Sequence, residues 1–330
     1  MADNIAALVA EYGRPEDVIR LVDRPRPAPE PGIVEIAVER AAINPSDLIP
    51  VTGAYSNRTV LPFVPGFEGV GIVSRIGAGV TGLKPGDRVL PLGASGLWQA
   101  YLQRPAEWCF AVPGDLSTEQ AATAYVNPMT TLRLSAAVKE HFGGLSELIG
   151  LRIGVTAAGS AIGRMLLKTL AAEGARVTAL VRSEGTAGSL GTLVDAAPIV
   201  TGPQALDADI VFDAVIDAVG GDVGGALLRN NLSGGGLFLQ YGALSGIPIA
   251  QDAISARTDV RFSFLWLRSF VHSAGRAALG IALEQCFDGI RRGTLSSAIA
   301  ATYPLSRLDE ALSHHLASGR AGKILIDPRC

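Results

Sequence analysis

"LRIGVTAAGSAIGRMLLKTLAAEGARVTALVRS" occupies residues 151–183, and its reading decides the fold. The run to Val155 reads as a buried strand, because it is apolar, short and followed by small residues. "IGRMLLKTLAAEG" carries its apolar residues at helical spacing and ends at Gly174, a natural helix stop. "ARVTALVRS" is a second strand. Strand, tight turn, helix and strand make one crossover unit of a parallel sheet. In the junction "VTAAGSAIGR" (155–164), Ala158, Ser160 and Gly163 hold the three small positions of a dinucleotide fingerprint. One makes the turn, one lets backbone approach a pyrophosphate, and one lets helix and strand pack closely. Only the last is glycine, so the bare pattern also fits an ordinary small-residue turn. Ala158, Gly159, Ser160, Ala161, Ile162 and Gly163 are the candidate cofactor contacts.

The end of the second strand sharpens this. A reader of a ribose 2′-hydroxyl would be Asp or Glu about twenty residues on. The chain reads Val181-Arg182-Ser183 there, with no carboxylate. Arginine and serine suit a 2′-phosphate, because the guanidinium fork matches phosphate geometry. NADPH is therefore expected over NADH; the plainer alternative is a solvated arginine at a strand end. Further strands at "APIVTG", "DIVFDAVIDAVGG" and "GGGLFLQYGA" continue the alternation. Ligands of open α/β sheets lie beyond the carboxyl ends of strands. Tyr241 and Gly242 are candidates on that ground, although each also fits a plain strand-ending turn.

Upstream the texture differs. "GIVEIAVERAAI" (32–43) alternates as a strand, and "VGIVSRIGAGVTGLKPGDRVLPLG" (70–93) gives two short strands with glycine turns. "WQAYLQRPAEWCFAVP" adds two more, so residues 1–125 read as a β-rich barrel or sandwich. Ser117 and Gln120 form a capping box at the head of a helix. Asn127-Pro128 is expected to interrupt it, with a second helix from about residue 129. The tail, 271–330, holds two helices and a last strand, "KILIDP". The division expected is 1–125 completed by 271–330, and 126–270.

Composition narrows the functional classes. The 330 residues are 48% hydrophobic and 18% charged, a globular mixture, and the net charge of −3 gives no bulk attraction to nucleic acid. Cys109, Cys286 and Cys330 are too scattered for a four-cysteine zinc site and fit a reducing compartment. No apolar run approaches the ~20 residues that span a bilayer. A cytoplasmic protein with no nucleic-acid or membrane partner is expected.

The order of β-rich domain, nucleotide-binding domain and return segment resembles the medium-chain dehydrogenase/reductase superfamily over nearly the whole chain. The carrying residues are "GFEGVGIVSRIGAGVTGLKPGDRV" (66–89), "AAGSAIG" (157–163), "DAVGG" (217–221) and "AGKILI" (321–326). The resemblance implies an α/β protein with a β-rich GroES-like barrel domain plus a Rossmann doubly wound parallel sheet. Zinc-dependent members have a His where this chain has Phe67, and a Cys on the loop that here reads "INPSDL" (43–48). Phe67 cannot coordinate, and no cysteine precedes Cys109, so no metal is expected. His141, His272, His314 and His315 lie outside these motifs, and His314-His315 is expected as an exposed helical pair.

Within the superfamily the chain looks most like the 2-enoyl thioester reductases. The matching pieces are "NPSDL", "GAYSN" (53–57), "LPFVPGFEGVG" (61–71), "LW" (97–98), "QAATAYVNPMTTLRL" (120–134) and "FSFLWL" (262–267). Quinone oxidoreductase relatives share "NPSD" and the glycine motifs. The resemblance implies Tyr55 as the catalytic residue, a proton or hydrogen-bond donor to the charge that develops on a carbonyl oxygen. By itself Tyr55 also reads as a loop tyrosine with a wet hydroxyl.

It further implies Asn44, Asp47 and Trp266 at the substrate, and Asn127, Thr130, Phe264, Trp266 and Lys323 near the cofactor. Each has a plainer alternative: a turn for "NPSD", core or interface packing for Trp266, a solvated strand-start lysine for Lys323. Met129, Thr131 and Gly159 depart from the thioester reductase pattern and leave the substrate open. The activity implied is NADPH-dependent reduction of an α,β-unsaturated thioester or carbonyl. The alternatives are an NADPH:quinone oxidoreductase and a non-enzymatic NADPH-binding protein. The sheet edge near "FSFL" is the expected surface of a homodimer.

Overall fold

The computed structural model describes all but residues 1–3, 145, 192, 194–197, 201–205, 208, 318, 321 and 330, so Cys330 lies outside the described residues. The chain forms two compact units, Met1–Val126 with Val271–Cys330, and Asn127–Phe270.

The first unit opens with β1 (Ile5–Val9), the one-turn α1 (Pro15–Val18) and β2 (Ile19–Asp23), which pairs antiparallel with β1. Then come β3 (Ile33–Ala42), α2 (Pro45–Leu48), β4 (Gly69–Ile76), β5 (Arg88–Pro91), β6 (Tyr101–Pro105), β7 (Cys109–Ala111) and α3 (Thr118–Ala122). The long strand β3 is the axis of the main sheet and pairs antiparallel with both β4 and β6. At Gly71 of β4 a Cβ would lie 2.4 Å from the Ala37 carbonyl oxygen of β3. The glycine spacing of "GFEGVG" is thus set by strand packing as well as by turns. The α3 cap is the box read from sequence: Ser117 Oγ accepts from the Gln120 amide, and Gln120 Oε1 accepts from the Ser117 amide.

Pro128 does not break a helix. The chain leaves helix at Thr123 and re-enters it in α4 (Val126–His141), with Pro128 in the first turn. There a missing N–H leaves no intrahelical bond unmade, and the fixed φ already suits the helix.

The second unit continues with β8 (Arg152–Val155), α5 (Ala161–Ala172), β9 (Arg176–Val181), α6 (Glu184–Gly188), β10 (Ile199–Val200), β11 (Phe212–Asp217), α7 (Gly221–Asn230), β12 (Leu232–Gln240), α8 (Gln251–Ser255) and β13 (Arg261–Phe264). All six strands run parallel, in the order β10-β9-β8-β11-β12-β13. Counted within the unit this is 3-2-1-4-5-6, the Rossmann order, and it reverses between β8 and β11. Val155, Leu166, Leu170, Ala214, Ile216 and Leu239 lie in one core of this unit.

The helix α9 (Leu267–Ser273) carries the chain back to the first unit. There α10 (Arg276–Arg291), β14 (Ile299–Pro304), α11 (Leu308–Leu316) and β15 (Lys323–Asp327) complete the sheet. β15 joins β14 in parallel and β3 antiparallel, so Ile324 and Ile326 enter the same core as Val38, Ala41 and Trp98.

Candidate active site

The turn after β8 lies at the reversal of strand order. Ser160 is the N-cap of α5 and its Oγ accepts from the Gly163 amide at 3.0 Å. Ala157 takes a left-handed φ of 47°, and Ala158 is fully buried. A Cβ on Gly163 would lie 2.5 Å from the Ala157 carbonyl oxygen and 2.6 Å from Ala158 Cα. The glycine is needed because helix and turn touch through their backbones. At Gly159 a Cβ would meet a Thr186 methyl at 2.3 Å, so the stretch after β9 folds against the turn. Arg164 ties the two together, donating to Gly159 O, Ser189 O and Ser189 Oγ.

Behind the turn lies a buried carboxylate. Asp217, at the end of β11, accepts from Thr156 Oγ1 at 2.7 Å and from the Val219 and Gly220 amides. Burial raises its pKa against the pull of those donors. Tyr241 follows β12 and its amide donates to Asp217 O. The Tyr241 hydroxyl is sealed from solvent and meets no partner at hydrogen-bonding geometry among the described residues, although the Ser160 side chain lies near enough to act on it. Burial pushes this phenol up, and the Asp217 charge adds to the rise while Ser160 opposes it. Gly242 packs on Ala218, whose carbonyl oxygen would stand 2.9 Å from an added Cβ.

Arg182 and Ser183 stand exposed at the end of β9. Ser183 caps α6, with Thr186 Oγ1 3.1 Å from its Oγ. Arg182 has no partner among the described residues. Asn127 and Thr130 are buried in the first turns of α4, where Thr131 Oγ1 donates to Asn127 O. Phe264 is 59% exposed on the edge strand β13, and Trp266, half-buried, follows it.

These polar groups fit a phosphate-bearing dinucleotide. A capped helix N-terminus, a turn with no room for a Cβ at 163, a sealed hydroxyl lacking a partner and an unpaired guanidinium lie in one unit.

In the first unit, Asn44, Asp47 and Lys323 meet, and Glu68 joins them. Asp47 Oδ2 accepts from the Asn44 amide at 2.6 Å and Oδ1 from the Phe67 amide at 2.8 Å. Asn44 Nδ2 donates to Glu68 Oε2 at 2.9 Å. Lys323 Nζ donates to Asn44 Oδ1 and to Glu68 Oε2, the latter at 3.2 Å. The other Glu68 oxygen accepts from the Tyr125 and Val126 amides. Burial pushes the Asp47 carboxyl up to about 7, against its two amide donors and the Lys323 charge, and Glu68 adds to the rise. Asn44, Asp47, Glu68 and Lys323 are all buried, so the structure gives Lys323 a carboxylate partner inside the sheet rather than a solvated position.

Tyr55 lies in the turns after α2. Its carbonyl oxygen accepts from the Arg58 and Thr59 amides, and the Arg58 guanidinium lies 5.8 Å from the ring centroid. Tyr12 Oη holds the segment through Thr59 O at 2.8 Å, and the ring of Tyr12 faces Gly53. Tyr55 is half-buried.

Among the described residues no three His, Cys, Asp or Glu side chains are grouped to hold a metal. Residues 30–114 match the alcohol dehydrogenase GroES-like domain family, and residues 194–326 match the family described as zinc-binding dehydrogenase. The human mitochondrial enoyl-[acyl-carrier-protein] reductase is 28% identical over 320 residues, 93% of this chain and 84% of that protein. A solved putative NADPH:quinone reductase from Bacillus thuringiensis superposes with a TM-score of 0.87 at 28% identity, covering 98% of both chains. Mycobacterial Rv1454c, solved complexed with NADPH, gives 0.83 at 26% identity over 99% of this chain and all of that one.

The chain belongs to the medium-chain dehydrogenase/reductase superfamily.

It is a quinone oxidoreductase-like member with a GroES-like unit and a Rossmann sheet. Three groups in this superfamily member escaped the sequence reading. Glu68 sits inside the quoted "GFEG", and its acid among glycines was the available signal. Asp217 ends a strand before "AVGG", where a carboxylate can only be buried or capping. Arg164 had no local signal, since its acceptors lie on the turn and 25 residues away. The His314-His315 pair is not exposed. His315 is 7% exposed, and burial, with the Arg320 and Lys323 charges, lowers its pKa to about 3. His314 Nδ1 is 3.0 Å from Tyr303 Oη. The pair straddles a face of α11 that packs on β14 and β15, so it cannot be wholly wet.

Proposed function

We propose that this protein reduces the carbon–carbon double bond of an α,β-unsaturated thioester or carbonyl with NADPH. The observation that carries the cofactor is the Ser160-capped turn with its closed position at Gly163, in the same unit as the unpaired Arg182. The enoyl-reductase relative supports the substrate class.

NADPH, when bound, supplies the hydride, which adds to the substrate's β carbon. In this reading the α5 N-terminus and Ser160 receive the pyrophosphate, Arg182 and Ser183 the 2′-phosphate, and Tyr241 Oη gains the partner it lacks. Asn127, Thr130, Gly242, Phe264 and Trp266 complete the cofactor surface of the second unit. Tyr55 donates to the carbonyl oxygen as negative charge arrives there, a proton from Tyr55 or from solvent then completes the α carbon of the enolate, and Asn44 and Asp47 shape the segment that leads to the site. Lys323 then acts by holding Asn44 and Glu68 rather than by touching a phosphate.

The decisive measurement is NADPH oxidation with crotonyl-CoA and a longer enoyl-CoA against a benzoquinone. Faster turnover of the enoyl thioesters supports the reading; turnover of the quinone alone selects the second reading, an NADPH:quinone oxidoreductase. That second reading is favoured by the quinone reductase neighbour at 28% identity. A cytoplasmic homodimer paired through the β13 edge belongs to the same proposal. No helix among the described residues is long and apolar enough to cross a membrane.

A further inference from the structure

The first unit contains a cavity of about 410 Å³, walled by Glu35 on β3, by β6, and by the segments around Arg24, Phe63 and Gly96. Its most unusual wall is Arg104, on β6. This arginine is 8% exposed, yet it has no carboxylate partner. Its Nη2 donates to the Ala94 and Ser95 carbonyl oxygens at 3.1 and 2.8 Å, and its Nε is sealed without an acceptor. Nη1 also lacks a protein acceptor among the described residues, but it is not sealed. Two more cations line the same cavity. Arg24 is exposed and unpaired among the described residues. Arg26 lies with its guanidinium 3.4 Å from the Tyr101 ring centroid.

The acid of this cavity is already spent. Glu35 accepts from Arg26 at 2.6 Å, from Ser74 at 2.5 Å and also from Arg75, which lies outside the cavity wall. Burial raises the Glu35 pKa, but those donors outweigh it and hold the carboxyl down to about 2. The described walls therefore carry an excess of positive charge that no described residue neutralises. A buried guanidinium satisfied only by carbonyl oxygens is a costly arrangement unless an anion joins it. Asn4, Gln99 and Gln103 give the lining neutral polar groups, and Phe63, Val64, Leu102 and the Tyr101 ring give it an apolar wall.

We propose that this cavity is a binding site for a small carboxylate with an apolar body, of aryl or short-chain type, with its head on Arg104 and Arg24. A planar carboxylate matches the edge of a guanidinium, and the apolar body covers Phe63 and Leu102. The site lies wholly in the first unit and does not depend on the NADPH reading.

Benzoate and its neutral isostere benzamide test it by isothermal titration and thermal melting of the full chain, with and without saturating NADPH. Benzoate is expected to bind at least tenfold more tightly than benzamide, with the same affinity whether NADPH is present or not. Arg104→Met is expected to abolish the preference for benzoate, while its unliganded melting temperature stays level or rises. Arg24→Gln, on the surface, is expected to weaken benzoate severalfold with no loss of fold. Absence of benzoate binding, competition by NADPH, or equal benzoate affinity in the Arg24→Gln protein would each overturn the proposal. The Arg24→Gln result decides alone if Arg104→Met does not fold.

Discussion

The buried polar cluster of the first unit and the turn of the second use similar residues to opposite ends. Around Asp47, both carboxylate oxygens have amide donors, Glu68 has four donors, and the Lys323 charge meets a carboxylate. The cluster is closed upon itself. At the Rossmann turn, Asp217 is likewise satisfied, but the Tyr241 hydroxyl and the Arg182 guanidinium beyond it are not. A satisfied buried network fixes shape, whereas an unsatisfied polar group next to a turn marks a place for something else. Structure and reactivity are therefore expected to separate: changes inside the closed cluster move stability, and changes at open groups move binding or turnover.

The largest effect expected is at Tyr55. Tyr55→Phe should lower enoyl reduction by on the order of 10²-fold, the usual consequence of losing one acid or oxyanion donor. Its melting temperature should stay unchanged. Steady-state rates beside a melting curve check both halves; undiminished turnover would remove Tyr55 from the chemistry.

Next comes Arg182→Ala. Loss of charge-assisted hydrogen bonds should weaken NADPH by roughly 10- to 100-fold and NADH hardly at all. Fluorescence titration of the two cofactors reads the ratio, and equal losses would mean that Arg182 does not recognise the 2′-phosphate.

The buried titratable groups of the first unit should answer to pH instead. Asp47 keeps its proton in the folded protein up to about 7, against 3.8 ordinarily. Between those values the folded state holds more protons than the unfolded, so this group makes stability fall as pH rises. His315 works the other way, with a folded value of about 3 against 6.5 ordinarily. Between those values the unfolded state holds more protons, so its contribution is present above 6.5 and lost as pH falls toward 3. From pH 4 to 6.5 the two oppose each other. Asp47→Asn should make stability rise more steeply with pH than in the wild type, and His315→Gln less steeply. Each difference should approach about 1.4 kcal/mol per pH unit. Urea unfolding at several pH values gives the slopes; parallel curves for all three proteins would contradict the assignment.

The smallest effect is the most discriminating. Tyr241→Phe removes a sealed hydroxyl that has no partner among the described residues, so the unliganded protein should be unchanged or gain up to about 1 kcal/mol. NADPH affinity should fall severalfold. A protein destabilised without ligand would show that the hydroxyl is already satisfied and would blur the contrast between the two regions.

What the sequence could show divides along the same line. The βαβ unit, the Ser117–Gln120 cap and the Ser160 turn are local patterns, read within a few residues. The parallel Rossmann sheet follows from the alternation of such elements. Pro128 misled because a proline at the head of a helix and one that breaks it look alike until the preceding residues are placed. Arg257 has no local signal for its role: its guanidinium donates to the carbonyl oxygens of Leu228, Arg229 and Leu232 around the end of α7. The Asp47 cluster could not be read as a cluster at all. Lys323 reaches Glu68 across 255 residues and Asn44 across 279, and no short-range pattern encodes such a meeting.

Those separations govern the order in which the protein can be made. A ribosome releases all of residues 127–270 before it has translated β15, the strand that β3 needs as a neighbour. The nucleotide-binding unit can therefore complete itself while the unit begun first still has an unfilled edge and an Asn44–Glu68 pair awaiting its lysine. Domains generally fold as units while synthesis proceeds, and open strand edges invite mispairing. In this chain the half that emerges first is the half that finishes last.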